Sequence, residues 1–155
     1  MLKNERGQAF IEMLFVLPLF LMLAFFIIEM GFVMYDLAVI NYAASSTAVE
    51  AARQGQFTTA TGDRTMAYLR DWSSNGRNFN IVRRSVPGKD IYSIIVYGPG
   101  AGDKFQRGDI ITIGVCYPVR FKTFLMDALA SWTVDEQELF LKARASAMSE
   151  VFFEP

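Results

Sequence analysis

A long apolar segment near the N-terminus constrains this chain more than any other feature. Between Glu12 and Glu29 lie 16 uncharged, almost wholly apolar residues, and apolar character continues outward from Ala9 to Tyr35. An α-helix needs about 20 residues to cross a hydrocarbon layer of ~30 Å. The segment therefore predicts a membrane-spanning helix over about residues 9–35.

The cations around this segment predict its orientation. Lys3 and Arg6 precede the span, and the next cation along the chain is Arg53. Positively charged flanks of a span stay on the cytoplasmic side. We therefore expect a single-pass protein with a cytoplasmic N-terminus and an extracytoplasmic C-terminal domain.

The helical pattern does not stop where the span ends. Apolar or small residues recur at three- and four-residue steps up to Gly55, which is a suitable C-terminal stop. These residues are Leu37, Ile40, Ala44, Thr47 and Ala51. One helix is predicted from about Gln8 to Gln54, which is too long for a secretory signal peptide. Pro18 removes one hydrogen bond of this helix and predicts a kink or local melting.

The residues at the start of the helix resemble a known processing site. Gly7, followed by Gln8-Ala9-Phe10-Ile11-Glu12 and an apolar run, is similar to the cleavage site of type IV pilins and pseudopilins. The longer pattern adds a Leu-Pro in the span, a Glu-x-Gly near its end and an Ala-rich exit that ends in Ala-Ala-Arg. Over residues 6–55 it resembles the TadE/TadF/TadG-like minor pseudopilins of tight-adherence (Tad/Flp) pili.

This resemblance implies a processing pathway and a set of partners. Residues 1–7 would be a leader that a prepilin peptidase removes between Gly7 and Gln8, after which the new N-terminus is methylated. Glu12 would act in subunit assembly through that terminus. The implied partners are the peptidase, other pilin or pseudopilin subunits, the Tad assembly platform and the lipid bilayer. The implied location is the bacterial inner membrane and, after assembly, the pilus or cell surface. We assign helix packing in the membrane to Pro18, Glu29 and Gly31.

Residues 56–155 predict a small extracytoplasmic α+β domain that is soluble without metal or disulfide. A turn at 56–62 is followed by a short amphipathic helix with Met66, Leu69 and Trp72 on one face. The segments "FNIVRRSV" and "IYSIIVY" flank a Pro-Gly turn and predict a hairpin. The fold class is α+β, a long N-terminal helix packed on a small antiparallel sheet with one face partly in water and a second short helix.

The last third of the chain supplies two more strands. "IITIGVCYPV" alternates, which places Ile111, Ile113, Val115, Tyr117 and Val119 on one face. "ELFLKARASAMSE" places alanines and leucines at period two opposite Lys142 and Arg144, so a strand is favoured over a helix. "FKTFLMDALASW" predicts either a short helix or an apolar surface loop.

Composition removes most enzyme mechanisms. The chain has no histidine and a single cysteine, Cys116, so Ser-His pairs, Cys-His pairs and most zinc sites are excluded. Asp103 and Asp109 lie in a Gly-rich loop, where carboxylates are usually solvated. We expect no enzymatic activity and no cofactor.

The charge balance argues against nucleic acid as a partner. The formal net charge is −1, and the basic cluster Arg77, Arg83, Arg84 and Lys89 predicts a solvated strand face. Two functions stay open: a minor pseudopilin, or a permanently anchored envelope scaffold or sensor with an extracytoplasmic binding domain.

Overall fold

The computed structural model describes residues 5–124, 127–128, 131 and 139–153 of the chain. Helix α1 covers Glu5–Gln54, and α2 covers Thr59–Trp72. A 3-10 turn at Gly76–Asn78 leads into the strands. These are β1 (Asn80–Arg84), β2 (Ser93–Tyr97), β3 (Ile110–Pro118) and β4 (Phe140–Met148). The predicted α+β class is confirmed.

Helix α1 confirms the prediction of one continuous helix through the span and beyond it. It continues through Pro18 without a break, so the predicted local melting is not observed. It ends before Gly55, whose φ of 62° is the left-handed conformation that glycine adopts most easily. Leu37, predicted on the buried face, is exposed, although Asp36 before it and Val39 and Ile40 after it are buried.

The turn predicted at 56–62 is wrong in its second half, because α2 begins at Thr59. The Thr58 side chain accepts a hydrogen bond from the Thr61 amide at 3.1 Å, a helix N-cap. Leu69 is fully buried, whereas Trp72 at the end of α2 is largely exposed. The segment starts a helix because the Thr58 side chain satisfies a backbone amide that the first turn of α2 would otherwise leave free.

The sheet has the order β1-β2-β3-β4 and is mixed, not antiparallel throughout. β2–β3 and β3–β4 are antiparallel, but β1 and β2 are parallel. The predicted hairpin is therefore wrong. Because β1 and β2 are parallel, residues 85–92 must return along the length of the sheet before β2 begins. They are long enough to do so, since eight extended residues span up to about 26 Å and a five-residue strand only about 17 Å.

This return segment explains why β2 is buried on both faces. A Cβ at Gly88 would lie 3.2 Å from Ile95 Cδ1, so the segment covers the face away from α1. Ile95 and Cys116 on that face are buried, as are Ile94 and Val96 on the other. The continuous apolar run of β2 is typical of a strand without a wet face.

The main core lies between α1 and the sheet. The Ala-rich side of α1 packs against β3 and β4, where small side chains allow a close approach of helix and sheet. The alternation predicted for β3 is confirmed by four buried side chains, whereas Val119 lies beyond the strand and is half-buried. The core residues of α1 and β3 are Val39, Ile40, Ala43, Ala44, Ala48, Ala51, Ile111, Ile113, Val115 and Tyr117.

Three further sequence predictions concern β4, Arg83 and the segment of residues 121–132. The strand prediction for β4 is confirmed, with Ala143 buried and Lys142 exposed. Arg83 is not part of a solvated face, since its guanidinium lies 3.8 Å from the Phe57 ring centroid and donates to the Phe57 and Thr58 carbonyls. In "FKTFLMDALASW", residues 125, 126, 129, 130 and 132 lie outside the described residues, whereas residues 124, 127, 128 and 131 have helical backbone, as the short-helix alternative predicts.

Candidate functional site

The first half of α1 is a bare apolar rod. Large apolar side chains from Phe10 to Ile28 are exposed, and none between Gln8 and Ile28 is fully buried. The helix is long and apolar enough to cross a membrane. Exposure of so many apolar side chains in water would be strongly unfavourable, because each costs about 1.5–3 kcal/mol relative to burial. This half fits a single-pass membrane anchor.

The predicted processing and assembly residues share one face at the start of this rod. A shallow surface groove is lined by Gly7, Gln8, Ile11 and Glu12. Gln8 and Glu12 are exposed and lie four residues apart, so they are neighbours on the helix surface. An amine created at Gln8 by cleavage would lie within reach of the Glu12 carboxylate of its own chain or of a neighbour.

Pro18 and Gly31 are exposed on α1. A Cβ added at Gly31 would meet no atom within 4 Å. Their assignment to helix packing in the membrane therefore concerns contacts with other subunits, and it stays a prediction.

Glu29 occupies a different environment from the other residues at the ends of the span. Its side chain is 2% exposed although it projects from the apolar helix. The carboxylate accepts hydrogen bonds from the Lys122 amide at 2.7 Å, the Thr123 amide at 3.0 Å and the Thr123 hydroxyl at 2.9 Å. A carboxylate bonded by several donors is a strong anchor. Glu29 thus fastens the loop after β3 to α1.

Asp36 repeats this arrangement two helical turns further along. It is buried, and its carboxylate accepts hydrogen bonds from the amide and hydroxyl of Ser74 in the loop after α2. One residue earlier on α1, the Tyr35 hydroxyl donates to the Trp72 carbonyl at 2.8 Å. The same loop is held from the sheet side, because the Asn75 amide donates to the Tyr117 hydroxyl.

The two carboxylates and their partners form one polar junction between the anchor and the domain. We define this junction as Glu29, Asp36, Ser74, Lys122 and Thr123. Lys122 links its halves, since its ammonium donates to the Ser74 carbonyl at 3.0 Å and lies 4.4 Å from the Phe32 ring centroid. The junction holds two loops of the domain rigidly at the end of the span.

Sequence reasoning missed Asp36 and the two loops. A signal was present, because Glu29 and Asp36 are seven residues apart and share a helix face with the buried Ile40 and Ala43. Acidic residues on the packed face of a helix indicate buried partners. The identity of those partners depends on loops distant in sequence, and no local pattern predicts it.

We expect Glu29→Ala to release the loop at Lys122 and Thr123. Hydrogen bonds to charged groups contribute about 1.5–3 kcal/mol each, and the donors of Lys122 and Thr123 would lose their acceptor. A decrease of local stability on the order of 3 kcal/mol corresponds to roughly 100-fold faster amide exchange. Hydrogen exchange of the full chain in detergent, read on peptides that contain these two residues, measures it.

A double-mutant cycle provides the control for this result. Thr123→Val removes one donor at nearly constant volume, so alone it should accelerate exchange less than Glu29→Ala. In the Glu29→Ala background it should add little, because the shared bond is already lost. Fully additive effects of the two substitutions would contradict the anchoring role of Glu29.

The remaining candidate residues have structural environments. The Asp103 and Asp109 carboxylates each accept a hydrogen bond from a backbone amide within their own turns, from Gly100 and Gln106 respectively. Cys116 is buried, and this burial raises the pKa of its thiol. A protonated buried thiol is a poor nucleophile. Among the residues that the structure describes, no cluster of acidic or sulfur side chains is arranged to hold a metal.

Comparison with known proteins matches the anchor helix only. The model of the family described as "TadE-like protein" matches residues 7–55, from the predicted cleavage site to the glycine that ends α1. This confirms the resemblance over that segment, which is about a third of the chain. No curated protein and no solved structure matches the chain.

Proposed function

We propose that this protein is a minor pilin or pseudopilin subunit of a Tad-type pilus or of its assembly machinery. A prepilin peptidase cleaves it, and α1 then carries it into a complex with other subunits. The proposal rests mainly on one observation: α1 is a bare apolar rod for about twenty residues and then part of a folded domain, without a break between the two. The family match over the same helix supports it.

The form of the molecule suits this role. In the bilayer, lipid covers the exposed apolar side chains of residues 8–28. In a complex, the same side chains can be covered by helices of neighbouring subunits, because helix and lipid surfaces are about equally apolar. The rigid junction transmits the position of α1 to the domain, so that helix packing determines where the domain is displayed. The domain faces the extracytoplasmic side in this proposal, in keeping with Lys3 and Arg6 at the opposite end.

We expect cleavage between Gly7 and Gln8, which leaves 148 of the 155 residues (155 − 7). Mass spectrometry of the N-terminal peptide from protein made in its own cells measures it, with a methyl group expected on Gln8. Gly7→Leu should block cleavage, because a peptidase must approach the backbone closely at this residue.

Gly31→Leu is the matched control for the cleavage experiment. It makes the same change at an exposed glycine of the same helix, where an added Cβ meets no other atom. Cleavage of this variant should be normal. An intact Met1 terminus in cells with an active prepilin peptidase would contradict the processing step and favour the permanently anchored scaffold or sensor instead.

A further inference from the structure

We propose that the short segment of residues 122–124, which begins in the junction, is a second membrane contact that lies in the outer headgroup region with Phe124 directed into lipid. The inference rests on the proposed membrane anchor and adds a second, monotopic attachment. It concerns how the domain sits on the bilayer, which the match to the anchor helix does not address.

The first step is the height of the segment along α1. A hydrocarbon layer of ~30 Å takes about 20 residues, fewer than the apolar segment of residues 9–35, so if the layer begins at Ala9 it ends near Ile28. Glu29 is the next residue, and its carboxylate binds the amides of Lys122 and Thr123 within 3.0 Å. These two residues therefore lie at the outer edge of the hydrocarbon layer. Phe124 follows directly, with its Cα about 3.8 Å from that of Thr123.

The second step is that partial burial of α1 side chains begins below Glu29. Of the side chains between Gln8 and Ile28, only Ala24 and Phe25 are half-buried, while Phe26 beside them is exposed. Phe25 lies one turn before Glu29 on the same face of the helix, about 5.4 Å further into the span. The partly buried face of α1 that continues to Glu29 thus begins within the part of the helix that lipid surrounds.

The third step is the chemistry of the segment. Phe124 is a large apolar side chain that is 85% exposed. In the sequence it is followed by Leu125 and Met126, and Asp127 is the one charged residue between Phe124 and Trp132. The Asp127 amide donates to the Thr123 carbonyl, which begins a helical turn at this point. Apolar turns flanked by cations and aromatic residues are typical of the membrane interface.

The flanking groups complete an interfacial environment. Arg120 precedes the segment, and Lys122, its first residue, lies against the Phe32 ring. Tyr35 and Trp72, which are hydrogen-bonded to each other, are exposed about 9 Å above Glu29, at the height of the headgroups. Aromatic side chains of this kind are enriched where lipid meets water.

Lipid-specific quenching tests the proposal on the full chain. Cys116→Ala removes the natural thiol, and a single cysteine at Phe124 then carries an environment-sensitive dye. The protein is placed in phosphatidylcholine vesicles with and without a nitroxide on the lipid acyl chain. We expect blue-shifted emission at Phe124→Cys and a loss of emission with the nitroxide lipid.

Single cysteines at two other positions serve as the controls for this measurement. Leu19→Cys lies in the middle of the span and should be quenched, which establishes that α1 is inserted. Phe152→Cys is 71% exposed beside Phe153, which packs near Gly55 at the far end of the domain, roughly 39 Å along α1 from Glu29. It should be neither blue-shifted nor quenched.

The outcomes separate this inference from the anchor on which it rests. Quenching at Leu19 without quenching at Phe124 overturns the second contact and leaves the anchor in place. No quenching at Leu19 contradicts the anchor and the inference together. A blue shift at Phe124 that nitroxide lipid does not quench would mean that protein covers this residue, and it overturns the inference as well.

Discussion

Glu12→Ala is expected to leave membrane insertion and cleavage intact and to abolish incorporation of the subunit into filaments or complexes. A charge inside a span costs about 2.5–3.5 kcal/mol near the bilayer centre and less near its edge, where Glu12 lies. Removing it therefore does not harm insertion. Its role would begin at assembly, when neighbouring helices replace lipid and water.

The expected size of the loss of incorporation follows from charge pairing in an environment without water. Cleavage creates an α-amine on Gln8, with a reference pKa of about 7.7–8.0, and methylation keeps it cationic. Removing one partner of a buried ion pair costs about 3–5 kcal/mol, which is a factor of more than 100 for each subunit contact. Glu12→Asp retains the charge on a shorter side chain and should be partly competent.

Glu50→Ala is the matched control, because it removes a carboxylate from the same helix outside the span. Glu50 forms an ion pair with Arg64 near the surface, and such pairs contribute little to stability. Its incorporation should be close to that of the natural protein. The measurement is the amount of each variant in sheared pili or purified complexes relative to the membrane pool. Wild-type amounts of Glu12→Ala in that fraction would refute the pairing.

Much of the fold could be predicted from the sequence, and the reason differs among elements. Helix α1, β3 and β4 carry long periodic patterns, so the residues that face the core follow from local spacing alone. The parallel pairing of β1 and β2 could not be predicted, because a Pro-Gly turn does not determine which way the chain continues after it. The continuous apolar run of β2 is a sequence feature that fits a strand covered on both faces.

The residues of the candidate site also differ in how far the sequence predicts them. Gly7, Gln8 and Glu12 are consecutive or nearly so, and a local motif predicts them. The role of Glu29 depends on Lys122 and Thr123, more than ninety residues away in the chain. Such contacts are decided by how the sheet places its loops. The acidic residue was visible in the sequence, but the amides that bind it were not.

The domain formed by α2 and the sheet is expected to depend for its stability on the second half of α1. A fragment of residues 36–155 should be soluble and unfold cooperatively, whereas a fragment of residues 56–155 should be far less stable. The removed helix buries Val39, Ile40 and four alanines in the main core. At about 0.8 kcal/mol per buried methyl or methylene and 1.5–3 kcal/mol per Val or Ile, the loss is on the order of 7 kcal/mol. That is comparable to the whole stability of a typical domain, about 5–15 kcal/mol.

Urea unfolding of the two fragments measures this difference, and a pair of substitutions tests whether helix–sheet packing causes it. In the 36–155 fragment, Ala44→Arg places a charged side chain where helix and sheet are in close contact. Ser45→Arg adds the same side chain at the next, exposed position. Ala44→Arg should destabilise the fragment nearly as much as the truncation does, because an unpaired buried charge costs several kcal/mol. Ser45→Arg should change the free energy of unfolding by no more than about 0.5 kcal/mol, as surface substitutions usually do. Equal stability of the two arginine variants would mean that α1 does not form part of the core in solution.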